Sequence, residues 1–473
     1  MHAQRNALVL SAAVLLWTLT AAPAGEIIVA PGMVPAFSLD QPRLSAVLFD
    51  GGSVITDVDE EGYTKPVVFD AFIDTGASGS VISNLHVTGY EPTLLRGEIL
   101  SLGLDGVPAG EFIGYYTETG VGGQEVGDVT RSFTVKAING SIGAVDGDNY
   151  ATYAHLFDDY GGQNLWVRRA PGTGEVVSVD VGGFAVTIAD PINILGMPII
   201  GQKVMYMDPT PMMGDDLLSL SVMNTHLLSA GDPEIPATSL TLAIRMQNFV
   251  STPPPPEVLP SHAENPMVRH IGASFTDSLG VTRTLTEQEW LFDTGAGNSF
   301  ISRQTAEALG IIPAGMSLAD FITQHKLAGG KTFEVGGIGS QVEAPLVTLA
   351  ELRITTKDGA DELVWKNVDL LVLDAAGLPG VFGMNLLVPS VSLDVDLANL
   401  TDLSDLLAIF DTRSAGPFSA IVFDAAAGEL RLAPVPEPSL TLLLGAAAPL
   451  LLKRRRRSPT RQTSPICLWA LNL

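Results

Sequence analysis

The sequence predicts a mainly β chain built as two homologous lobes. Three observations carry that reading. A block containing Asp-Thr-Gly-Ala occurs twice, at Asp74–Ala77 and at Asp293–Ala296. Three further motifs follow each copy in the same order. Most intervening segments are short, β-branched and interrupted by glycine or proline (48 Gly and 31 Pro in 473 residues), the pattern of strands and turns.

The repeat can be followed motif by motif. Val67 to Ile73 is an apolar run that leads into Asp74-Thr75-Gly76-Ala77, and a second apolar run closes on Val81-Ile82-Ser83. Trp290-Leu291-Phe292 leads into Asp293-Thr294-Gly295-Ala296 and closes on Phe300-Ile301-Ser302. Each copy reads as strand, glycine turn, strand. Downstream, Gly120-Val121-Gly122-Gly123 answers Gly337-Ile338-Gly339-Ser340. Then Ile194-Leu195-Gly196-Met197 answers Val381-Phe382-Gly383-Met384, and Val204 to Asp208 answers Val391 to Asp394. One such match is an ordinary turn, which Asp and Gly favour anyway. Four in one order are an internal duplication.

Between the copies, Pro253 to Pro256 predicts an extended polyproline linker over residues 249–266. The first lobe is thus expected at 25–248 and the second at 267–434. Asp74 and Gly196 are 122 residues apart, Asp293 and Gly383 only 90, so extra length is expected in the first lobe, at about 148–183. One helix is expected in the second lobe after Ser302, ending at Gly310.

The ends differ from the middle. Residues 25–434 hold 51 acidic and 19 basic residues, whereas the whole chain has 52 and 26. So acidic a body repels phosphate backbones, which excludes nucleic acid as a partner. The single cysteine, Cys467, excludes a disulfide framework and a cysteine-rich zinc site. No histidine spacing fits a metal, and neither a metal nor a cofactor is expected. Asp57 to Gly62 begins like a calcium loop, but Val68 stands where the twelfth-position Glu belongs.

Residues 1–24 read as a signal peptide: Arg5, an apolar run from Ala7 to Leu19, and a small-residue site at Ala22-Pro23-Ala24. Gly25 to Leu44 is too short for a large pro-segment, so none is expected. At the other end, Pro436-Glu437-Pro438 precedes an apolar run from Leu440 to Leu452 and a basic cluster, Lys453 to Arg457. Residues 435–457 resemble the PEP-CTERM sorting signal of exported bacterial proteins. The run is short and contains Pro449, and residues 458–473 continue beyond it as a tail. The resemblance implies an exported protein, cell-surface or extracellular, transiently anchored in the inner membrane and processed by an exosortase-type enzyme. The basic cluster would stay on the cytoplasmic side.

The paired Asp-Thr-Gly-Ala blocks, each followed by a hydrophobic-hydrophobic-Gly-Met motif, resemble the aspartic proteases of the pepsin and retropepsin clan. The resemblance covers roughly residues 44–400 and implies the pepsin-like bilobal fold, two β-barrel-like lobes with an active-site cleft between them. It also implies an aspartic endopeptidase acting on peptides or proteins, complete within one chain and so monomeric. Asp74 and Asp293 would be the catalytic dyad. Thr75 and Thr294 would lock the two loops, Gly76 and Gly295 would allow their close approach, and Gly196 and Gly383 would lie beneath them. Tyr116 is the candidate for the aromatic residue of a flap. The chemistry suits the pattern: two carboxylates that close cannot both ionise, so one serves as base while the other keeps its proton. Ala77 and Ala296 replace a common hydroxyl, which predicts weaker stabilisation of the anions and a mildly acidic optimum. The alternative function is a catalytically silent, surface-displayed protein of the same fold that binds a peptide or polymer. A structural matrix protein would explain the tail but not the duplication.

Overall fold

The computed structural model describes residues 25–30, 32–58, 62–83, 112–138, 145–169, 176–181, 184–189, 192–213, 222–375, 377–392 and 413–435. The expected signal peptide, the sorting segment and the tail after Val435 lie outside these residues. Among the described residues, no helix is long and apolar enough to cross a membrane. All that follows concerns the compact unit ending at Pro434.

The fold class expected from the sequence is observed: mainly β and bilobal, with one large sheet built around each copy of the repeat. In the first lobe the strand order is Ser53–Val54, Arg43–Asp50, Val68–Ile73, Ile194–Leu195, Val81–Ile82, Phe157–Arg168, Gly123–Ile138, Phe112–Gly120. Arg43–Asp50 also pairs with Gly123–Ile138, with Ala46 opposite Ala137, which curls the sheet back on itself. The strand is apolar enough for both its faces to be covered. Leu44, Ala46 and Leu48 enter the main core, while Val47 packs with Val68, Ile138 and Phe157 in a second cluster.

The second lobe repeats the plan. Asn265–Thr276 pairs with Thr282–Phe292 and, on its other side, with Val342–Thr355. Glu362–Leu373 takes the place that Phe157–Arg168 has in the first lobe. Each runs parallel to the short strand that leaves its Asp-Thr-Gly loop: Leu371 opposite Phe300, Trp166 opposite Val81. Residues 157–168 are therefore integral to the first-lobe sheet although they fall inside the span where extra length was expected. Among the described residues, the hairpin Val176–Val181 with Phe184–Ala189 pairs with neither large sheet.

A platform of antiparallel strands continues the second sheet: Asn224–Leu228, Val204–Asp208, Phe418–Asp424, Glu429–Pro434 and Leu240–Gln247. The two halves of the chain are also interleaved at the start. Glu26–Ala30 lies parallel to the strand at Glu362, and Phe37–Ser38 pairs with Ser390–Val391, before the chain crosses into the first lobe at Arg43. Aromatic rings fill the second core. Phe292 packs edge-on to Phe423 at 5.5 Å, and Trp365 packs edge-on to Phe382 at 5.8 Å. The indole N–H of Trp365 is satisfied by the Leu386 carbonyl at 3.0 Å.

The expected helix forms over Arg303–Ala308. Ser302 caps it by accepting the Thr305 N–H, and Gly310 follows at a φ of +73°, where a side chain would be strained. The proline-rich segment does not hang free. Val258 N–H donates to the Tyr115 carbonyl, Ser261 N–H to the Asn164 carbonyl and Ala263 N–H to the Ser78 carbonyl, which lays the segment along the first lobe.

Candidate active site

The two Asp-Thr-Gly loops are held by the strands on either side of them. In the first lobe, Ile194 and Leu195 lie parallel to Phe72 and Ile73, and Ile194 also faces Val81. In the second, Val381 and Phe382 lie parallel to Leu291 and Phe292, and Val381 also faces Phe300. Each hydrophobic-hydrophobic-Gly motif thus runs between the strand entering its loop and the strand leaving it. The N–H of Asp74 donates to the Leu195 carbonyl and that of Asp293 to the Phe382 carbonyl.

At the end of the inserted strand the chain must pass directly under the loop. A Cβ on Gly196 would come within 2.1 Å of the Gly79 carbonyl oxygen, and one on Gly383 within 2.5 Å of the Asn298 carbonyl oxygen. Only glycine fits there. Their N–H groups donate to the hydroxyls of Ser80 (3.3 Å) and Ser299 (2.9 Å). Each serine lies six residues after its Asp, a correspondence present in the repeat but not singled out in the sequence.

The loops bind each other through their threonines. Thr75 N–H donates to Thr294 Oγ1 and Thr294 N–H to Thr75 Oγ1, both at 3.1 Å. Each hydroxyl then donates onward across the lobes, Thr75 to the Phe292 carbonyl (2.7 Å) and Thr294 to the Ile73 carbonyl (2.5 Å). Both threonines are fully buried. The glycines that follow face the opposite carboxylate. A Cβ on Gly76 would sit 2.5 Å from Asp293 Cγ, and one on Gly295 would sit 2.3 Å from Asp74 Cγ.

Asp74 and Asp293 are brought together, each beside the glycine of the opposite loop, and both are half-buried. Burial raises both above the usual carboxylate range. The two carboxyls also act on one another. Asp74 is better supplied with donors: its Oδ1 accepts the N–H groups of Gly76 (2.7 Å) and Ala77 (3.1 Å). Asp293 Oδ1 accepts that of Ala296 (3.0 Å).

Two hairpins reach between the lobes. Phe112–Gly120 with Gly123–Ile138 forms one, and Thr332–Val335 with Val342–Thr355 forms the other. Their tips meet: Gly122 N–H donates to the Ile338 carbonyl (3.0 Å), and the Ser340 hydroxyl donates to the Gly122 carbonyl (2.7 Å). They also exchange apolar residues. Val121 packs against the second-lobe cluster of Met267, Leu291 and Phe300, and Ile338 against the first-lobe cluster of Val81, Tyr116, Val129 and Trp166. A charged clasp ties the junction. Arg168, 3% exposed, donates to Glu125 (3.2 Å) and to the Gly337 carbonyl (3.1 Å), while Gly339 N–H donates to Glu125 (3.2 Å). The paired glycine motifs were legible in the sequence, but Arg168 and Glu125 carried no signal there.

Tyr116 lies on the first strand of the first hairpin, opposite Gly127. Its side chain is buried with Trp166, and its carbonyl accepts the Trp166 indole N–H at 3.0 Å. Burial, with Glu118 and Glu257 nearby, pushes its phenol up to about 12.

Among solved structures, the chain is similar to basic 7S globulin from soybean, at 10% identity and a TM-score of 0.33, covering 83% of this chain and 95% of that one. It is also similar to EDGP, at 12% identity and a TM-score of 0.32, covering 88% and 97%. No family model and no curated protein matches the chain. The geometry of the two loops, with one carboxyl from each lobe, is what bears on function.

Proposed function

We propose that the chain is an aspartic-type endopeptidase that hydrolyses peptide bonds through a water held between Asp74 and Asp293. The observation that carries the reading is the dyad itself: two carboxyl groups, one from each lobe and each set against the glycine of the opposite loop, too close for both to ionise readily, on loops built alike. Asp74, with two loop N–H donors, is the carboxylate. Asp293, whose Oδ1 accepts a single loop N–H, is the acid.

In the first step Asp74 takes a proton from the water, whose oxygen attacks the scissile carbonyl carbon. Asp293 donates its proton to the carbonyl oxygen, giving a neutral gem-diol. In the second, Asp74 passes its proton to the leaving nitrogen as the C–N bond breaks, and Asp293 recovers one from the gem-diol hydroxyl. The joined hairpins would roof the cleft and exclude bulk water, so they must part to admit an extended polypeptide. Tyr116, held protonated over the working range, supports the first hairpin from beneath through Trp166.

The terminal segments support export and sorting through an exosortase-type partner, with the enzyme working as a monomer at the surface or beyond it. Digestion of a peptide library, with and without a transition-state inhibitor of aspartic proteases, tests the activity. Cleavage that the inhibitor stops and that Asp74→Asn and Asp293→Asn both abolish is expected. Equal cleavage by wild type and both variants would overturn the assignment. Tight peptide binding by the wild type without turnover would favour the binding protein instead.

A further inference from the structure

Gln41 and Asn265 occupy the same place in the two lobes. Each precedes a proline, and each lies two residues before the position that pairs with the penultimate residue of the strand entering its own lobe's catalytic loop. Those pairs are Arg43 with Phe72 and Met267 with Leu291. Both carboxamides reach across to the opposite loop. The Gln41 side-chain amide donates to the Gly295 carbonyl. The Asn265 amide donates to the carbonyls of Thr75 and Gly76, both at 3.0 Å.

The carbonyls they bind belong to the peptide groups that serve the dyad. The Thr75–Gly76 peptide presents its N–H to Asp74, and so does the Gly76–Ala77 peptide. The Gly295–Ala296 peptide presents its N–H to Asp293. A donor on the carbonyl of a peptide group polarises the whole group and makes its N–H a better donor to an anion. Asn265 is 1% exposed, and its own oxygen is fixed by the Ser78 hydroxyl at 2.6 Å, so its amide is held towards the loop.

We propose that Asn265 and Gln41 are positioning residues of the proposed peptidase, polarising the loop peptides from the opposite lobe and thereby dividing the dyad's proton unequally. Asn265 acts on both peptides that serve Asp74, and Gln41 on the one that serves Asp293. The inference rests on the endopeptidase reading for its kinetic consequence but not for its electrostatic one. Burial is the largest influence on each carboxyl, followed by the other carboxyl and the N–H groups of the loops.

The test measures the pH dependence of kcat/KM for wild type, Asn265→Ala and Gln41→Ala, together with a carbon NMR titration of the aspartate carboxyls in each full-length protein. With Asn265→Ala, the acid limb moves to higher pH, and kcat/KM falls on the order of fivefold on the acid side and less near the maximum. With Gln41→Ala, which is half-buried and so the milder change, the alkaline limb moves to higher pH instead. Equal losses at every pH, with unmoved carboxyl titrations, would mean a packing role and overturn the proposal. Moved titrations in a protein that cleaves nothing would uphold it while sinking the peptidase reading. Should Asn265→Ala fail to fold, Gln41→Ala decides alone.

Discussion

Thr75 and Thr294 each donate their backbone N–H to the other's hydroxyl at the same 3.1 Å. Every donor and acceptor in this cross is buried, and each hydroxyl also satisfies a carbonyl in the opposite lobe. Thr75→Val keeps the shape but leaves the Thr294 N–H and the Phe292 carbonyl without partners. A loss of about 1–3 kcal/mol is expected for each single variant. The two changes share one network, so the double variant should lose less than the sum of the singles. Urea denaturation of the four proteins measures this. Additivity within about 0.5 kcal/mol would show that the two threonines act independently.

Burial raises both dyad carboxyls above the usual carboxylate range. The ascending limb of the pH–rate profile requires the first proton to leave the pair, and the descending limb follows loss of the second. Raised values move both limbs up, so activity should peak at mildly acidic pH. A maximum below about pH 3 would contradict this. The same shift bears on stability. A carboxyl whose folded-state value is raised favours folding fully below its unfolded value, and that contribution is lost as pH rises through the folded value. Asp293→Asn removes the buried charge that forms there. The variant should therefore melt at a higher temperature than wild type at neutral pH, with the advantage shrinking towards acid. Calorimetry across pH 4–8, an interval of order that spanned by raised carboxylates, reads the difference.

Much of the centre was legible because duplication repeats chemistry at fixed spacing. Asp74 and Asp293, their Thr-Gly partners, and Gly196 and Gly383 all lie in short motifs whose residue types are forced by close approach. Gln41 and Asn265 escaped notice because an amide before a proline is common and reads as the start of a strand. Only the pairing of the strands shows that the two are equivalent. Strand Phe157–Arg168 fell within expected extra length because its Gly, Asp and Tyr content resembles a loop, yet its final turn of sequence, Leu165-Trp166-Val167, is fully buried sheet. The hairpin clasp was illegible for a simpler reason: Glu125 and Arg168 lie 43 residues apart, and nothing local brings them together.

Gly295 tests how little room the dyad has. Its missing Cβ would lie 2.3 Å from Asp74 Cγ, and that of Gly76 2.5 Å from Asp293 Cγ, distances no carbon contact sustains. Gly295→Ala must displace either the carboxyl or the loop. Misplacing a reacting group by about 1 Å costs on the order of 100-fold in rate. A kcat/KM within threefold of wild type would show that the loops can separate freely, and the interlocked geometry would then be wrong.

The clasp between the hairpins governs how the cleft opens. Arg168 spans Glu125 on its own lobe and the Gly337 carbonyl on the other, while Glu125 takes the Gly339 N–H from that same loop. Glu125→Gln keeps the size but removes the charge from both of Glu125's contacts, to Arg168 and to the Gly339 N–H, so the tips should part more readily. Charge-assisted bonds are worth roughly 1.5–3 kcal/mol each where desolvated, although Glu125, with a side chain 19% exposed, will give less. Spin labels at the exposed Gln124 and Gln341 should report a longer and broader distance distribution in the variant than in the otherwise unchanged protein. If opening limits substrate access, kcat/KM rises for long peptides while the pH limbs, which belong to the dyad, stay where they are. An unchanged distance distribution would mean that the glycine tips hold themselves together through Gly122, Ile338 and Ser340 alone.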